Sequence, residues 1–162
     1  MRHDQRSAAI FQRNEHRKDL PAAGRRKEIG AFTASLTVPA PVTWTNAAQI
    51  ASISRSTPVT LNWTGGDASQ TVVIGGGSTD QKTKKSGGFV CLVPATAGTF
   101  TVPVTALADL APTGSVMGPG DGLGVLFLAA LPLANPPTFT APGLSAGHLF
   151  YSFVTARAVP VQ

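Results

Sequence analysis

The sequence contains one cysteine, Cys91, among 162 residues. A single thiol excludes an internal disulfide, and it excludes zinc and iron–sulfur sites held by several cysteines. Cys91 can be a nucleophile, a metal ligand, half of an intermolecular disulfide or a small apolar core residue. It shares one face of an alternating stretch with Phe89 and Val93, and no basic residue lies beside it in the sequence. We therefore interpret Cys91 as a packed, unreactive core thiol.

Charged residues are also scarce, at 13% of the chain against about 25% in an average soluble domain. Hydrophobic residues make up 43%, which argues against disorder of the whole chain. The net charge of +5 is concentrated in residues 1–30, which hold eight basic and four acidic side chains. Because this segment mixes acids with bases and the rest is nearly neutral, we expect no nucleic-acid partner.

Long hydrophobic runs are absent. Residues 1–30 lack the apolar run of a signal peptide, so no signal peptide is predicted in this chain. The most apolar segment, "LGVLFLAALPL" at Leu123–Leu133, is about half the length of a membrane span. We expect no membrane span, and we expect this segment to form a buried strand pair or a strand and a turn.

No convincing amphipathic helix occurs after residue 30, where the apolar period becomes two. Seven or eight short strands separated by Gly, Pro, Asn and Asp clusters predict an all-β sandwich. The predicted strands include Phe32–Val38, a strand ended by Gly75–Gly77, and a stretch that carries Phe89, Cys91 and Val93. The string "TALADLAP" predicts one helical turn. We place the β-sandwich domain at 31–162 and a flexible or short helical arm at 1–30.

The string "GLSAG" matches the G-x-S-x-G nucleophile elbow, with Ser145 at its centre and His148 immediately after it. The elbow needs a strand-to-helix turn, but strand-like sequence follows here. No Asp or Glu occurs after Asp121 to complete a triad. We therefore predict a β-hairpin turn, with an esterase on Ser145 as a remote alternative.

The sequence predicts no metal site and no cofactor. Asp67, Asp80, Asp109 and Asp121 each lie in a turn-like setting, where Asp side chains accept hydrogen bonds from nearby backbone N–H groups. The glycine-rich strings match neither G-x-G-x-x-G nor the Walker-type loop. We expect no catalytic residue in this chain.

Three aromatic residues are candidates for stacking on a ligand. Trp63 alternates with Val59 and Leu61, which favours the core. Trp44, in "PVTWTN", is either a partly buried loop anchor or an exposed platform. Tyr151 is the second weak binding candidate. Trp44 and Tyr151 together would form a carbohydrate-binding module, which is the alternative function.

Two strings, "LNWTGGD" and "GGFVCLVPATAGTFTVP", carry a resemblance that spans about Phe32 to Phe153. The chain resembles immunoglobulin-like β-sandwich modules of large uncharacterised secreted or surface proteins of soil bacteria. The resemblance implies extracellular or cell-surface placement, and it implies no catalytic residues. We therefore expect a monomeric, non-enzymatic structural or adhesive module whose partners are other domains of a larger surface protein or a glycan.

Overall fold

The computed structural model describes residues 29–114, 122–133 and 136–162. The predicted arm lies outside these residues up to position 28, as does most of the Gly-rich loop before Leu123. The described chain forms two compact units. The larger unit contains residues 39–114, 122–133 and 151–162, and the smaller contains residues 29–38 and 136–150.

β-strand is the main regular structure of the described residues, as the period of two predicts. The strands of the larger unit are β1 (Thr43–Trp44), β2 (Val59–Thr64), β3 (Thr71–Thr79), β4 (Ser86–Pro94), β5 (Thr99–Val102), β6 (Leu123–Leu131) and β9 (Phe153–Ala158). The smaller unit contains β7 (Thr138–Ala141) and β8 (Leu144–His148). Short 3-10 turns occur at Ala47–Gln49 and Ala95–Ala97, and the predicted helical turn is α1 (Val104–Leu107).

The larger unit has two antiparallel sheets. One has the strand order β1-β2-β5, and the other has the order β4-β3-β6-β9. Nine residues of β3 pair with β4 on one side and with β6 on the other, without a shift in register. The all-β class is therefore confirmed, and nine strands occur in the described residues where the sequence predicted seven or eight. One of the nine is the two-residue strand β1, which contains Trp44.

Side chains from both sheets fill one hydrophobic core. Alternate residues of β2 point inward, and Leu61 and Trp63 are buried there. From the other sheet, Val72 and Ile74 of β3 and Leu126 of β6 contribute to the same cluster. Alternate residues of the strands thus form the core, as the sequence pattern predicts.

The three glycines Gly75–Gly77 do not end a strand, which corrects the sequence prediction. β3 continues through them to Thr79 because neighbouring rings use the space that a Cβ would occupy. The ring of Phe127 lies against Gly75, and the ring of Phe89 lies against Gly76 on the opposite face. Glycine in a strand interior often marks such a close approach.

The predicted strand at Phe32–Val38 is not a strand in the structure. This segment belongs to the smaller unit, where Gly30 N–H donates to Pro142 O at 2.9 Å. The Phe32 ring stacks on Phe139 with 4.6 Å between the centroids. The alternation is present in the sequence, but a strand also needs a ladder of backbone hydrogen bonds with a neighbour.

Candidate functional site

Ser145 lies in the β7–β8 hairpin of the smaller unit. Ala141 pairs with Leu144 across a turn in which Gly143 has φ 84°, the conformation that a type II turn requires after proline. Ser145 is exposed within β8, and the chain continues as strand to His148. The strand-to-helix geometry of a nucleophile elbow is therefore not formed, and the hairpin is the one that the sequence predicts.

No carboxylate side chain occurs in the described part of the smaller unit, residues 29–38 and 136–150. His148 pairs with Thr138 in the strand ladder, and its ring lies 6.3 Å from that of Phe150. Within this unit, the histidine therefore has no acid to orient it towards Ser145.

Asp67 and Asp80 both hold turns of the larger unit. Asp67 Oδ1 accepts hydrogen bonds from Ser69 N–H at 2.8 Å and from Ser69 Oγ–H at 2.5 Å. Asp80 Oδ2 accepts one from Thr83 Oγ1–H at 2.6 Å, in the loop between β3 and β4. These bonds stabilise the ionised form, so the pKa of each carboxyl lies below its usual value. Both aspartates have the turn role that the sequence predicts.

Both tryptophans are buried in the core. Trp63 is 3% exposed, and its indole N–H donates to Ala95 O at 2.7 Å. Trp44 is 6% exposed, and its indole N–H donates to Asn46 Oδ1 at 2.9 Å. Of the two alternatives for Trp44, the structure therefore favours the anchor, because a buried ring offers no open face for stacking.

Tyr151 is partly exposed in the larger unit. Its ring meets Phe153 edge-on at 5.9 Å between the centroids. Burial raises the pKa of the Tyr151 hydroxyl, and the negative charge of Asp67 raises it further. A hydrogen bond with Ser69 acts in the opposite direction and lowers this pKa. Tyr151 therefore lies beside the Asp67–Ser69 turn, and the structure does not bring it together with Trp44 into one exposed aromatic platform.

Cys91 lies on the inward face of β4, opposite Ile74 of β3. It is partly buried and packs against the hydrophobic core, as its alternation with Val90 and Leu92 predicts. Burial raises the pKa of the thiol, which disfavours the reactive thiolate. No group of three or more His, Cys, Asp or Glu side chains that could hold a metal ion occurs among the described residues.

The sequence reasoning missed the outer face of the four-stranded sheet, which we call the outer apolar face. The register places these residues on it: Thr71, Val73, Gly75, Gly77 and Thr79 of β3; Ser86, Gly88, Val90, Leu92 and Pro94 of β4; Leu123, Val125, Phe127, Ala129 and Leu131 of β6; and Val154, Ala156 and Ala158 of β9. None of them is charged. The available signal was that β4 and β6 are apolar at successive positions, the pattern of strands covered on both faces.

A shallow groove of about 660 Å³ lies on the outer apolar face. Gly77 and Gly88 pair across β3 and β4, so no side chain fills this place. Val90 borders the groove on one side, and Val125 and Phe127 border it on the other. Apolar side chains therefore surround a groove whose base is formed by the backbone of the paired glycines.

No helix in the described part of the chain is long and apolar enough to cross a membrane. No family model, curated protein or solved structure matches the chain.

Proposed function

We propose that the chain is a non-enzymatic structural or adhesive module of an exported protein. The observation that carries this proposal is the outer apolar face, where Val90 is 66% and Val154 61% exposed although both are large and hydrophobic. Continuous exposed apolar surfaces mark interaction sites in soluble proteins. A module that works through such a face needs rigid strands and no converging catalytic groups.

The strand order supports an immunoglobulin-like β-sandwich as the finer description of the fold. If the strands of the larger unit are lettered in the immunoglobulin manner, β1, β2 and β5 take the places A, B and E. β4, β3, β6 and β9 then take the places C′, C, F and G. The β7–β8 hairpin is an insertion between F and G. The disulfide between the sheets of antibody domains has no counterpart, because the chain has one cysteine.

The extracellular or cell-surface location and the larger parent protein rest on the resemblance carried by "LNWTGGD" and "GGFVCLVPATAGTFTVP". Fractionation of cells that express the native gene tests this location. Recovery of the protein at the cell surface or in the medium is expected. Recovery in the cytoplasm alone would refute export.

Ester hydrolysis tests the non-enzymatic part of the proposal. The purified chain and its Ser145→Ala variant should give the same background rate on short acyl esters, because Ser145 is a strand residue without an orienting histidine–acid pair in its unit. Turnover that the wild type shows and Ser145→Ala loses would overturn the proposal. The substitution is in an exposed position, so the variant should fold normally.

Glycan binding is the second candidate, and it now depends on Tyr151 alone. A partly exposed ring beside a carboxylate and a hydroxyl, here Asp67 and Ser69, has groups that can stack on a sugar and bond to its hydroxyls. A glycan array of the wild type and Tyr151→Ala tests this role. Signals that Tyr151→Ala removes would support it, whereas an array without signals would eliminate it.

A further inference from the structure

The outer apolar face is unusually free of charge for an exposed surface. The four strands that form it contain one charged residue, Arg157 of β9. Arg157 pairs with Leu126, on the inward-facing register, and its Nη1 donates to Ala47 O at 2.6 Å. The sheet therefore turns its single charge away from the face that solvent reaches.

The other sheet of the larger unit has an outer face of the opposite kind. Thr60 and Thr101 bond through their hydroxyls at 2.8 Å, and Thr99 Oγ1–H donates to Asn62 Oδ1 at 2.7 Å. This threonine and asparagine surface suits contact with water. The fold thus presents one polar face and one apolar face.

We propose that the partner is a second copy of this chain, which packs its own outer apolar face against the first. This inference rests on the proposed function, since it names the contact made by the interaction surface. An uncharged apolar face meets its own copy without leaving a charge buried and unpaired. A two-fold symmetric contact requires such a self-complementary surface.

The size of the face is sufficient for a specific dimer. Three of its strands, β3, β4 and β6, have nine residues each. With the six residues of β9 included, at about 3.3 Å per residue and about 4.8 Å between strands, the sheet covers roughly 520 Å². If the whole face is covered, two copies bury roughly 1,040 Å² in total, which just reaches the ~1,000 Å² of a specific interface.

The shape of the face also favours packing against a second copy. The side chains of Val90 and Leu92, 66% and 64% exposed, form a ridge on β4. The groove over Gly77 and Gly88 lies beside this ridge on the same sheet. A surface that carries both a ridge and a groove can pack on its copy, with each ridge entering the groove of the other. The proposed dimer differs from the monomer that the sequence led us to expect.

Sedimentation equilibrium of the full chain tests the proposal. From about 1 μM to about 100 μM, a range suited to an interface of this size, the mass should rise from one chain to two. Leu92→Lys should weaken the association at least about tenfold, because two-fold symmetry brings a lysine from each copy into the interface. Thr64→Lys is the matched control: it places the same charge on an exposed strand position of the other sheet, and dimerisation should not change.

Val154→Lys, on β9 at the opposite edge of the same sheet, repeats the test if Leu92→Lys does not fold. A wild-type chain that remains monomeric at the highest concentration would overturn the proposal. A dimer that survives both face variants, or that Thr64→Lys disrupts, would also overturn it. None of these outcomes bears on ester hydrolysis, so the proposed function and the dimer can fail separately.

Discussion

Replacing each tryptophan with phenylalanine should destabilise the fold by different amounts, with the larger loss at Trp63. The Trp63 indole N–H donates to the Ala95 carbonyl at 2.7 Å in a buried position. The Trp44 indole N–H donates to Asn46 Oδ1 at 2.9 Å, in a partly buried position. That oxygen also accepts the Asn62 N–H at 2.9 Å, so it keeps a partner when the indole is removed.

The magnitude follows from two contributions. The smaller ring leaves roughly 40 Å³ unfilled, which costs about 1 kcal/mol at about 24 cal/mol per Å³. Loss of a buried hydrogen bond costs about 1–3 kcal/mol when a polar group loses its partner, and about 1 kcal/mol or less otherwise. Trp63→Phe should therefore lower the free energy of unfolding by about 2–4 kcal/mol, and Trp44→Phe should lower it by about 1–2 kcal/mol.

Urea unfolding followed by far-ultraviolet circular dichroism measures both losses, since tryptophan fluorescence changes with the substitutions themselves. The slope of free energy against urea should stay constant, so that the midpoint alone reports stability. A Trp44→Phe loss equal to or greater than the Trp63→Phe loss would contradict this ranking of the two indole hydrogen bonds.

Three further predictions concern the thiol, the turn carboxylate and the glycines of β3. Cys91 should react slowly with an aromatic disulfide reagent in the native chain and rapidly in urea, because burial raises its pKa; rapid native labelling would contradict this. The folded pKa of Asp80 lies below its unfolded value, so its contribution to stability is complete above the unfolded pKa and is lost as the pH falls through the folded pKa. The urea midpoint should therefore fall less below about pH 4 in Asp80→Asn than in the wild type. The same fall in both proteins would refute this role of Asp80. Gly76→Ala should lower the free energy of unfolding in urea by about 1–3 kcal/mol, because its Cβ would lie 2.5 Å from Phe89 Cε1. Gly77→Ala should lower it little, because the atom nearest to its Cβ would be 3.6 Å away. Equal losses in the two variants would show that the Phe89 ring moves freely.

The sequence correctly predicted several strands from their alternation, although the equally regular alternation of Phe32–Val38 does not form one. Val59, Leu61 and Trp63 of β2 lie on one face, and the same holds for Phe89 and Cys91 of β4. This succeeds because the direction of a side chain along a strand follows from the local backbone. The glycines of β3 were misread as a stop because the rings that cover them come from other strands.

The difference between local contacts and contacts from distant strands also explains which candidate sites were predictable. The turn roles of Asp67 and Asp80 were predictable, because each carboxylate bonds to residues two or three positions away. The hairpin at Ser145 was predictable for the same reason. The environment of Trp44 was not, since its strand pairs with β2, about 20 residues further along the chain.

Local sequence pattern was sufficient to predict the all-β class, with Trp63 in the core and aspartates in turns, because these features depend on neighbours within a few positions. Which face of each strand is covered followed only from the three-dimensional packing. β4 and β6 are apolar on both faces, and their own sequences cannot say whether another layer lies on each. That answer comes from strands distant in the chain, which here cover the inward face and leave Val90, Leu92 and Val154 exposed.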